Sequence, residues 1–359
     1  MKIYHHIDEF KSLTNAVVTI GTFDGVHIGH QKIISRLCEV ARKNNAESVI
    51  LTFFPHPRMI LHPEDENIKL INTIQEKAEL LKKLGLDHLI ITPFTRDFSN
   101  LTAESYIRDI LVNKLGTRQI VIGYDHRFGK DRQGGLKDLQ KYSVQYKYEV
   151  EEIPEQDIHD VAVSSTKIRQ SVLRGEVTIA SDFLGYPFEL TGKVIKGDRI
   201  GRKLGYPTAN LFIEETYKLI PADGIYAVTV ILDIDQPKNR NSPEESIQTN
   251  NDSDFQHAKS QISDLKSKIY KDDGLQHAQI SNLKSQIFKG MAYIGHRPTV
   301  NGMTRNIEVN IFDFNIDIYG ATIRLNFHHF IRHDEKFNSL DELKDQLARD
   351  EISSRKLLQ

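Results

Sequence analysis

The sequence predicts an α/β domain built on a parallel sheet, followed by a smaller, mainly antiparallel β domain. Short apolar runs at 16–20, 48–54, 86–92 and 119–123 alternate with helical patterns, among them Ile33, Ile34, Leu37, Val40 and Ala41, then 74–84 and 103–115. Strands and helices in that rhythm form parallel βαβ units. A sheet of this kind carries its ligand sites at the carboxyl ends of its strands. The loops richest in chemistry, 22–30, 55–58 and 123–132, all fall at such ends. From about Leu184 the texture changes to short β-like runs separated by Gly, Pro and Asp, which marks the second domain.

Composition agrees with two soluble cores. The chain has 359 residues, 39% hydrophobic and 27% charged, enough for about two domains. Lys plus Arg number 47 against 49 Asp plus Glu, a formal charge of -2, so there is no global basic footprint for nucleic acid. The single cysteine, Cys38, excludes an intramolecular disulfide framework and fits a reducing compartment. The first residues contain no apolar signal region and no run reaches the length of a membrane span. These features are read as a cytoplasmic protein without a membrane partner.

The stretch GTFDGVHIGH carries Gly21, Phe23, Asp24, Gly25, His27, Gly29 and His30 between an apolar run and a helical pattern. A glycine-punctuated turn into a helix directs backbone N–H groups and the positive end of a helix dipole at a ligand, which makes a phosphate site. His27 and His30 place two imidazoles beside it, able to donate to phosphate oxygens that gain charge during transfer. By itself the stretch also fits a plain strand-to-helix turn whose histidines are caps. The loop GYDHRFGKDR offers Asp125, Arg127 and Phe128, a carboxylate, a guanidinium and an aromatic face for a polar ring system, or else forms a charged surface turn. Further on, Ser164, Ser165 and Thr166 stand beside Lys167 and Arg169 at the start of a helical pattern. Capping explains one hydroxyl. Three hydroxyls with two cations read as a second cradle for a triphosphate.

GTFDGVHIGH, with TFFPHP, GYDHRFG and SSTKIR, resembles the HIGH-type nucleotidyltransferases, and in particular the FMN adenylyltransferase module of the bifunctional bacterial FAD synthetase family. The resemblance implies a Rossmann-like domain over 1–183. It implies ATP held by the 21–30 motif and the 164–169 segment, and a flavin side at His56, Asp125, Arg127 and Phe128.

In the second half, GKVIKGDRIGRKLGYPTAN interleaves Gly197, Gly201 and Gly205 with Lys196, Arg199, Arg202 and Lys203, a basic flap able to lay N–H groups on phosphates. Pro207 then stiffens the approach to Thr208 and Asn210, whose oxygens are hard donors of the kind Mg²⁺ accepts. In NIEVNIFDFNIDIY, alternation sends Ile307, Val309 and Ile311 to one face and Glu308 and Asn310 to the other, half-exposed one. Glu308 set opposite a phosphate flap has the chemistry of a general base, although a lone strand Glu is also an ordinary solvated residue. GRKLGYPTANL, IGHRPTV, IEVNIFDFN and FIRHDEKF together resemble riboflavin kinase, a small antiparallel β-barrel with a C-terminal helix. That resemblance covers 184–359 and implies Mg²⁺ and ATP at Thr208 and Asn210 and a catalytic base at Glu308. Asn310 departs from it, standing where many members have His.

The resemblance breaks between Asp233 and Lys289. ISDLKSKIYK at 262–271 recurs as ISNLKSQIFK at 280–289, each with apolar residues at i, i+3 and i+7. This predicts a duplicated helical hairpin, or a partly disordered appendage, inserted at about 235–289 in a strand-to-strand loop, where extra length costs little. A self-associating or partner-binding surface is its alternative role. The expected function is riboflavin phosphorylation to FMN and adenylylation of FMN to FAD, with ATP as co-substrate twice. The alternatives are a single adenylyltransferase whose barrel only binds flavin, and a non-catalytic flavin sensor.

Overall fold

The computed structural model describes residues 1–65, 68–154, 163–197, 201, 204–233, 286–299 and 302–359. They form two compact units. The first takes Met1–Val172, Ile179–Tyr186 and Tyr217–Leu219; the second takes Leu173–Thr178, Pro187–Thr216 and Ile220–Gln359.

In the first unit, β1 (Lys2–Tyr4), β2 (Ala16–Ile20), β3 (Glu47–Phe53), β4 (His88–Thr92), β5 (Thr117–Gly123) and β6 (Glu149–Ile153) form one sheet in the order β1-β4-β3-β2-β5-β6. Every pairing is parallel. Both faces are covered, which is why β2 reads as an unbroken apolar run with all five residues buried. Alternate residues supply opposite cores. Val17, Ile50, Leu89 and Val121 pack with Ile34, Leu37, Cys38 and Leu81 of helices α1 (Ile28–Lys43) and α3 (Ile74–Lys83). Val18, Leu51, Ile90 and Ile120 pack with Tyr106, Ile107 and Leu111 on the other side. A short helix, α2 (Pro57–Leu61), follows β3.

The sheet order reverses at β2: β3 and β4 lie on one side of it, β5 and β6 on the other. The ends of β2 and β5 therefore flank a topological switch point, the place where open α/β sheets bind ligands. The expected strands appear with boundaries moved by a residue or two. The edge strands β1 and β6 had no clear signal in the sequence. β1 is three residues long, and β6 reads Glu-Val-Glu-Glu-Ile, too polar for a buried run. The expected helix over 103–115 begins as Ala103–Ser105 and continues as a π-helix, Tyr106–Lys114.

In the second unit, β7 (Phe188–Ile195), β8 (Ala209–Phe212), β9 (Gly224–Asp233), β10 (Ile287–Thr299), β11 (Gly302–Ile311) and β12 (Thr322–Arg332) close an antiparallel barrel, β10-β11-β8-β7-β12-β9. Cross-strand partners that share a face, such as Leu190, Leu325 and Val230, or Ala292, Val309 and Tyr226, are fully buried and fill it. Helix Leu340–Leu357 is tied to β12 by Arg332, whose Nη2 donates to the buried Asp350 carboxylate at 2.8 Å.

Two expectations change here. The helical reading of the second repeat does not extend to its end, because Ile287–Lys289 belong to β10 and pair with Thr229–Ile231 of β9. Completing a ladder against an existing strand outweighs a short i, i+7 pattern. Residues 234–285, which hold the rest of the duplication, lie outside the described residues. The alternating run from Asn306 ends as a strand at Ile311, and Asp313 turns the chain at φ 57. Because Ile231 and Ile287 are direct partners in neighbouring antiparallel strands, a short turn can replace what joins them. Deleting 235–284 in favour of a Gly-rich turn is expected to leave the barrel folded and riboflavin phosphorylation within about threefold of the full chain, measured by FMN formation.

Candidate active sites

β2 ends at Ile20 and α1 begins at Ile28. Between them Phe23 and Val26 have φ of 44 and 35, a region that side chains disfavour and that Gly25, at φ 88, occupies freely. For a β-branched Val the cost is about 1–3 kcal/mol, so neighbouring bonds must impose the conformation. They engage the carbonyls of residues 22 to 27. Lys77 Nζ donates to Thr22 O at 2.7 Å and Val26 N to Phe23 O at 3.2 Å. Ser165 Oγ donates to Asp24 O at 2.8 Å and Tyr186 OH to Gly25 O at 2.6 Å. Gln31 Nε2 reaches Val26 O at 2.8 Å, and its backbone N reaches His27 O at 2.9 Å. With its acceptors bonded to the scaffold, the turn offers a ligand N–H groups, joined by the first amides of α1.

Asp24 is 2% exposed. Its Oδ1 accepts from Ile71 N at 2.9 Å and Asn72 N at 3.4 Å, and its Oδ2 from Arg169 Nη2 at 2.8 Å. This carboxylate and this guanidinium thus answer each other and hold the turn.

His27 caps α1, its Nδ1 accepting from His30 N at 3.4 Å, and the two imidazoles stack with centroids 3.6 Å apart and planes 18° apart. Burial pushes His27 down to about 4 against the pull of Asp24 and Asp125. Burial also holds His30 well below its ordinary value, helped by His27 and Lys77. Both rings are therefore neutral at neutral pH, which permits the stack. A neutral His27 that accepts at Nδ1 carries its proton on Nε2, leaving that atom as a donor. His56 caps α2 through Arg58 N at 3.2 Å and is pushed to about 4 by burial, with Asp24 opposing and Lys77 and Arg169 adding to the shift. Lys77, 4% exposed, is pushed down to about 8 by burial, with Asp24 opposing.

Asp24, His27, His30, His56, Lys77 and Arg169 thus form one electrostatic cluster, and the charge of Asp125 reaches it through His27. The 164–169 segment divides differently from the sequence reading. Ser164 caps helix Ser165–Leu173 by accepting from Lys167 N at 3.3 Å, while Ser165 and Arg169 bind the turn; Thr166 and Lys167 are exposed. Gly21 and Gly29 lie on the same strand-to-helix path. Asp125 and Arg127 are exposed on the loop after β5. Phe128 is 6% exposed, stacked on Tyr106 at 5.0 Å and beside His126, so its ring holds that loop in the core. The sequence reading missed Lys77, Gln31 and Tyr186. Only Lys77 left a signal: a Glu-Lys pair next to the Ile74, Ala78, Leu81 stripe of an amphipathic helix.

The barrel carries a second site. Glu308 of β11 pairs with Asn210 of β8, so their side chains share the face opposite Ile307, Val309 and Ile311. That face is covered, not half solvated: Glu308 is 8% exposed and Asn310 7%. Glu308 Oε2 accepts from Thr208 Oγ1 at 2.8 Å and Oε1 from Asn306 Nδ2 at 2.6 Å. Asn310 Nδ2 donates to Pro207 O at 2.8 Å, fixing the residue before Thr208. Glycines shape the chain around these groups. A Cβ on Gly197 would lie 2.2 Å from Asn210 Nδ2, and one on Gly201 2.3 Å from Tyr206 O, while Gly205 turns at φ 87. Lys203 lies outside the described residues. The hydroxyl, amide and carboxylate oxygens gathered here are the hard donors that Mg²⁺ shares with phosphates and water.

An N–H-lined turn at the switch point of a parallel sheet and, in a separate barrel, a covered carboxylate beside hydroxyl and amide oxygens define a two-site phosphate-group transferase. Residues 9–167 match the FAD synthetase family and residues 184–358 the riboflavin kinase family. The chain is 32% identical to the bifunctional riboflavin kinase/FMN adenylyltransferase of Escherichia coli (strain K12), over 94% of this chain and 91% of that protein. It is 32% identical to the protein of the same name from Listeria monocytogenes, over 98% and 96%. The chain belongs to the family of bifunctional riboflavin kinases and FMN adenylyltransferases. A crystal structure described as a macrolide-efflux protein from Streptococcus pneumoniae is similar to it with a TM-score of 0.77 and 30% identity, covering 99% of this chain and 98% of that one. Among the described residues no helix is long and apolar enough to cross a membrane.

The buried histidines have a consequence for acid stability. His27, His56 and His126 are each lowered from 6.5 to about 4, chiefly by burial. Between those values the unfolded chain binds more protons than the folded one, so stability held above 6.5 is lost as pH falls toward 4. Calorimetry of the full chain is expected to show the first unit's melting temperature dropping through that window, with a shallower drop in His126→Gln.

Proposed function

We propose that the barrel phosphorylates riboflavin and that the parallel-sheet unit adenylylates the FMN so formed, with the division between the two activities near residues 183 and 184. In the barrel, the riboflavin 5′-hydroxyl attacks the γ-phosphorus of ATP, the new O–P bond forms, ADP leaves, and Glu308 takes the hydroxyl proton. Thr208 and Asn306 orient the two carboxylate oxygens for that transfer. Thr208 and Asn210 would hold Mg²⁺, which when bound neutralises charge on the phosphates. The packing of Gly197 against the Asn210 amide supports that reading, because it sets the amide close to a chain segment able to approach phosphates.

In the first unit, an FMN phosphate oxygen attacks the α-phosphorus of a second ATP and pyrophosphate leaves. The nucleophile is already an anion, so no general base is needed and catalysis reduces to in-line positioning and charge stabilisation. The turn amides, His27, His30 and Lys167 face that task, while Asp24, Ser165, Arg169 and Lys77 keep the turn in shape. Asp125, Arg127 and His56 are assigned to the FMN side. The protein works in a reducing compartment, the cytoplasm. The observation that carries the proposal is the covered Glu308 held by Thr208 and Asn306, a base ready-made for an alcohol, in a unit distinct from the anion-binding turn.

Incubation with riboflavin and Mg-ATP, followed by chromatography of the flavins, is expected to show FMN rising and then giving way to FAD. FMN alone, or FAD only when FMN is supplied, would limit the chain to one activity. Glu308→Gln is expected to lower FMN formation about 100- to 10,000-fold while FMN-to-FAD conversion survives. His30→Ala is expected to do the reverse, lowering FAD formation about 100- to 1,000-fold. Equal loss of both activities in both variants would overturn the two-site assignment.

A further inference from the structure

We propose that Lys218, which lies in the sequence segment matching riboflavin kinase but in the first compact unit, is a positioning residue for adenylyl transfer in that first unit. The proposal rests on the assignment of that reaction to the 21–30 turn.

The three residues Tyr217–Leu219 belong to the first unit, although the chain before and after them belongs to the second. They dock on Leu70 as a parallel bridge: Leu70 N donates to Tyr217 O at 2.7 Å and Leu219 N to Leu70 O at 2.8 Å. Tyr217 adds a ring contact with Phe54, centroids 5.0 Å apart. Between these bonds the Lys218 side chain, 1% exposed, donates to Ile71 O at 2.6 Å and pairs with Glu76, 3% exposed, at 2.5 Å. A buried ion pair of this kind adds little net stability compared with apolar side chains of the same size, so its value lies in the geometry it imposes.

That geometry leads to the adenylyltransferase turn by two routes. Ile71, whose carbonyl Lys218 holds, gives its own N–H to Asp24 Oδ1 at 2.9 Å, and Asp24 Oδ2 holds Arg169. Its side chain also underlies Gly25, where an added Cβ would come within 2.9 Å of Ile71 Cδ1. On the second route, the Glu76 oxygen that Lys218 pairs with also accepts from Thr73 N at 2.8 Å, closing the capping box of α3. The next residue of that helix is Lys77, which binds Thr22 O. Lys218 therefore bears on two points of the turn, the Thr22 carbonyl and the Asp24 carboxylate, through other residues. The segment matching FAD synthetase, 9–167, contains neither this lysine nor Tyr186, which binds Gly25 O.

The test uses the full chain. Lys218→Met alone strands the Glu76 charge and can fail to fold, so the informative variant is the double Lys218→Met/Glu76→Gln, compared with Lys218→Arg. Three quantities are measured: FMN binding by quenching of flavin fluorescence, kcat and KM for FAD formation from FMN, and riboflavin phosphorylation. The double variant is expected to bind FMN and to phosphorylate riboflavin within about twofold of wild type while kcat for FAD formation falls about 10- to 100-fold, the loss that a misplaced reacting group brings. Lys218→Arg is expected to restore most of it. A double variant that binds FMN and makes FAD within about twofold of wild type overturns the proposal. Loss of FMN binding and both activities together, with Lys218→Arg no better, marks Lys218 as a folding residue and overturns it as well. Wild-type protein unable to convert FMN sinks the adenylyl-transfer assignment, and the proposal with it.

Discussion

The buried carboxylate of Asp24 is the constraint on which the turn between β2 and α1, the proposed adenylyl-transfer site, depends. An acidic group beside an anion-binding turn would repel a triphosphate if it faced the ligand. Here it faces inward: two backbone N–H groups and Arg169 satisfy it, so its charge is neutralised within the scaffold. Removing the guanidinium from so buried a carboxylate costs up to about 3–5 kcal/mol, because its charge is left short of compensation. That energy fixes Asp24, and with it a turn that contains two side-chain-bearing residues in the left-handed region. The strain and the carbonyl bonds belong together. The bonds from Lys77, Ser165, Tyr186 and Gln31 both impose the conformation and remove the acceptors that would oppose a phosphate.

The barrel solves a different problem. Its interior is filled by its own side chains, Phe188, Tyr226 and Phe327 among the largest, so chemistry has to be built on the outward face of the strands. Glu308 and Asn210 stand there as direct cross-strand partners. Cover from neighbouring polar groups keeps Glu308 largely out of water, the setting that the proposed base for a hydroxyl requires. The contrast between the two units follows their nucleophiles: a hydroxyl that must lose a proton in one, an oxyanion that needs only placement in the other. Asn310, where the kinase resemblance calls for His, donates to Pro207 O, a bond that an imidazole N–H could also make.

Much of this was legible in the sequence because the relevant signals are local. Apolar runs buried on both faces gave β2 to β5, alternation placed Glu308 and Asn310 on the same side of β11, and the short motifs marked both sites. The polar edge strand β6 was not legible, since an edge strand is held by its neighbour's hydrogen bonds rather than by apolar burial. The end of the second repeat misled for a related reason: Ile287 completes an i, i+3, i+7 set with Ile280 and Leu283, yet β9 offers Ile287–Lys289 a ladder.

The sequence by itself determined the two fold classes and the order of the two activities, because periodicity and motif spacing are properties of a few neighbouring residues. Only the tertiary structure decided which candidate site residues bond to one another. Asp24 and Arg169 are 145 positions apart, and Ser165, Tyr186 and Lys218 reach the first site from still later in the chain. Whether a hydroxyl or a cation binds phosphate or buttresses a turn depends on which partner lies within about 3 Å of it, and that distance is set by packing between segments whose separation in sequence carries no trace of it.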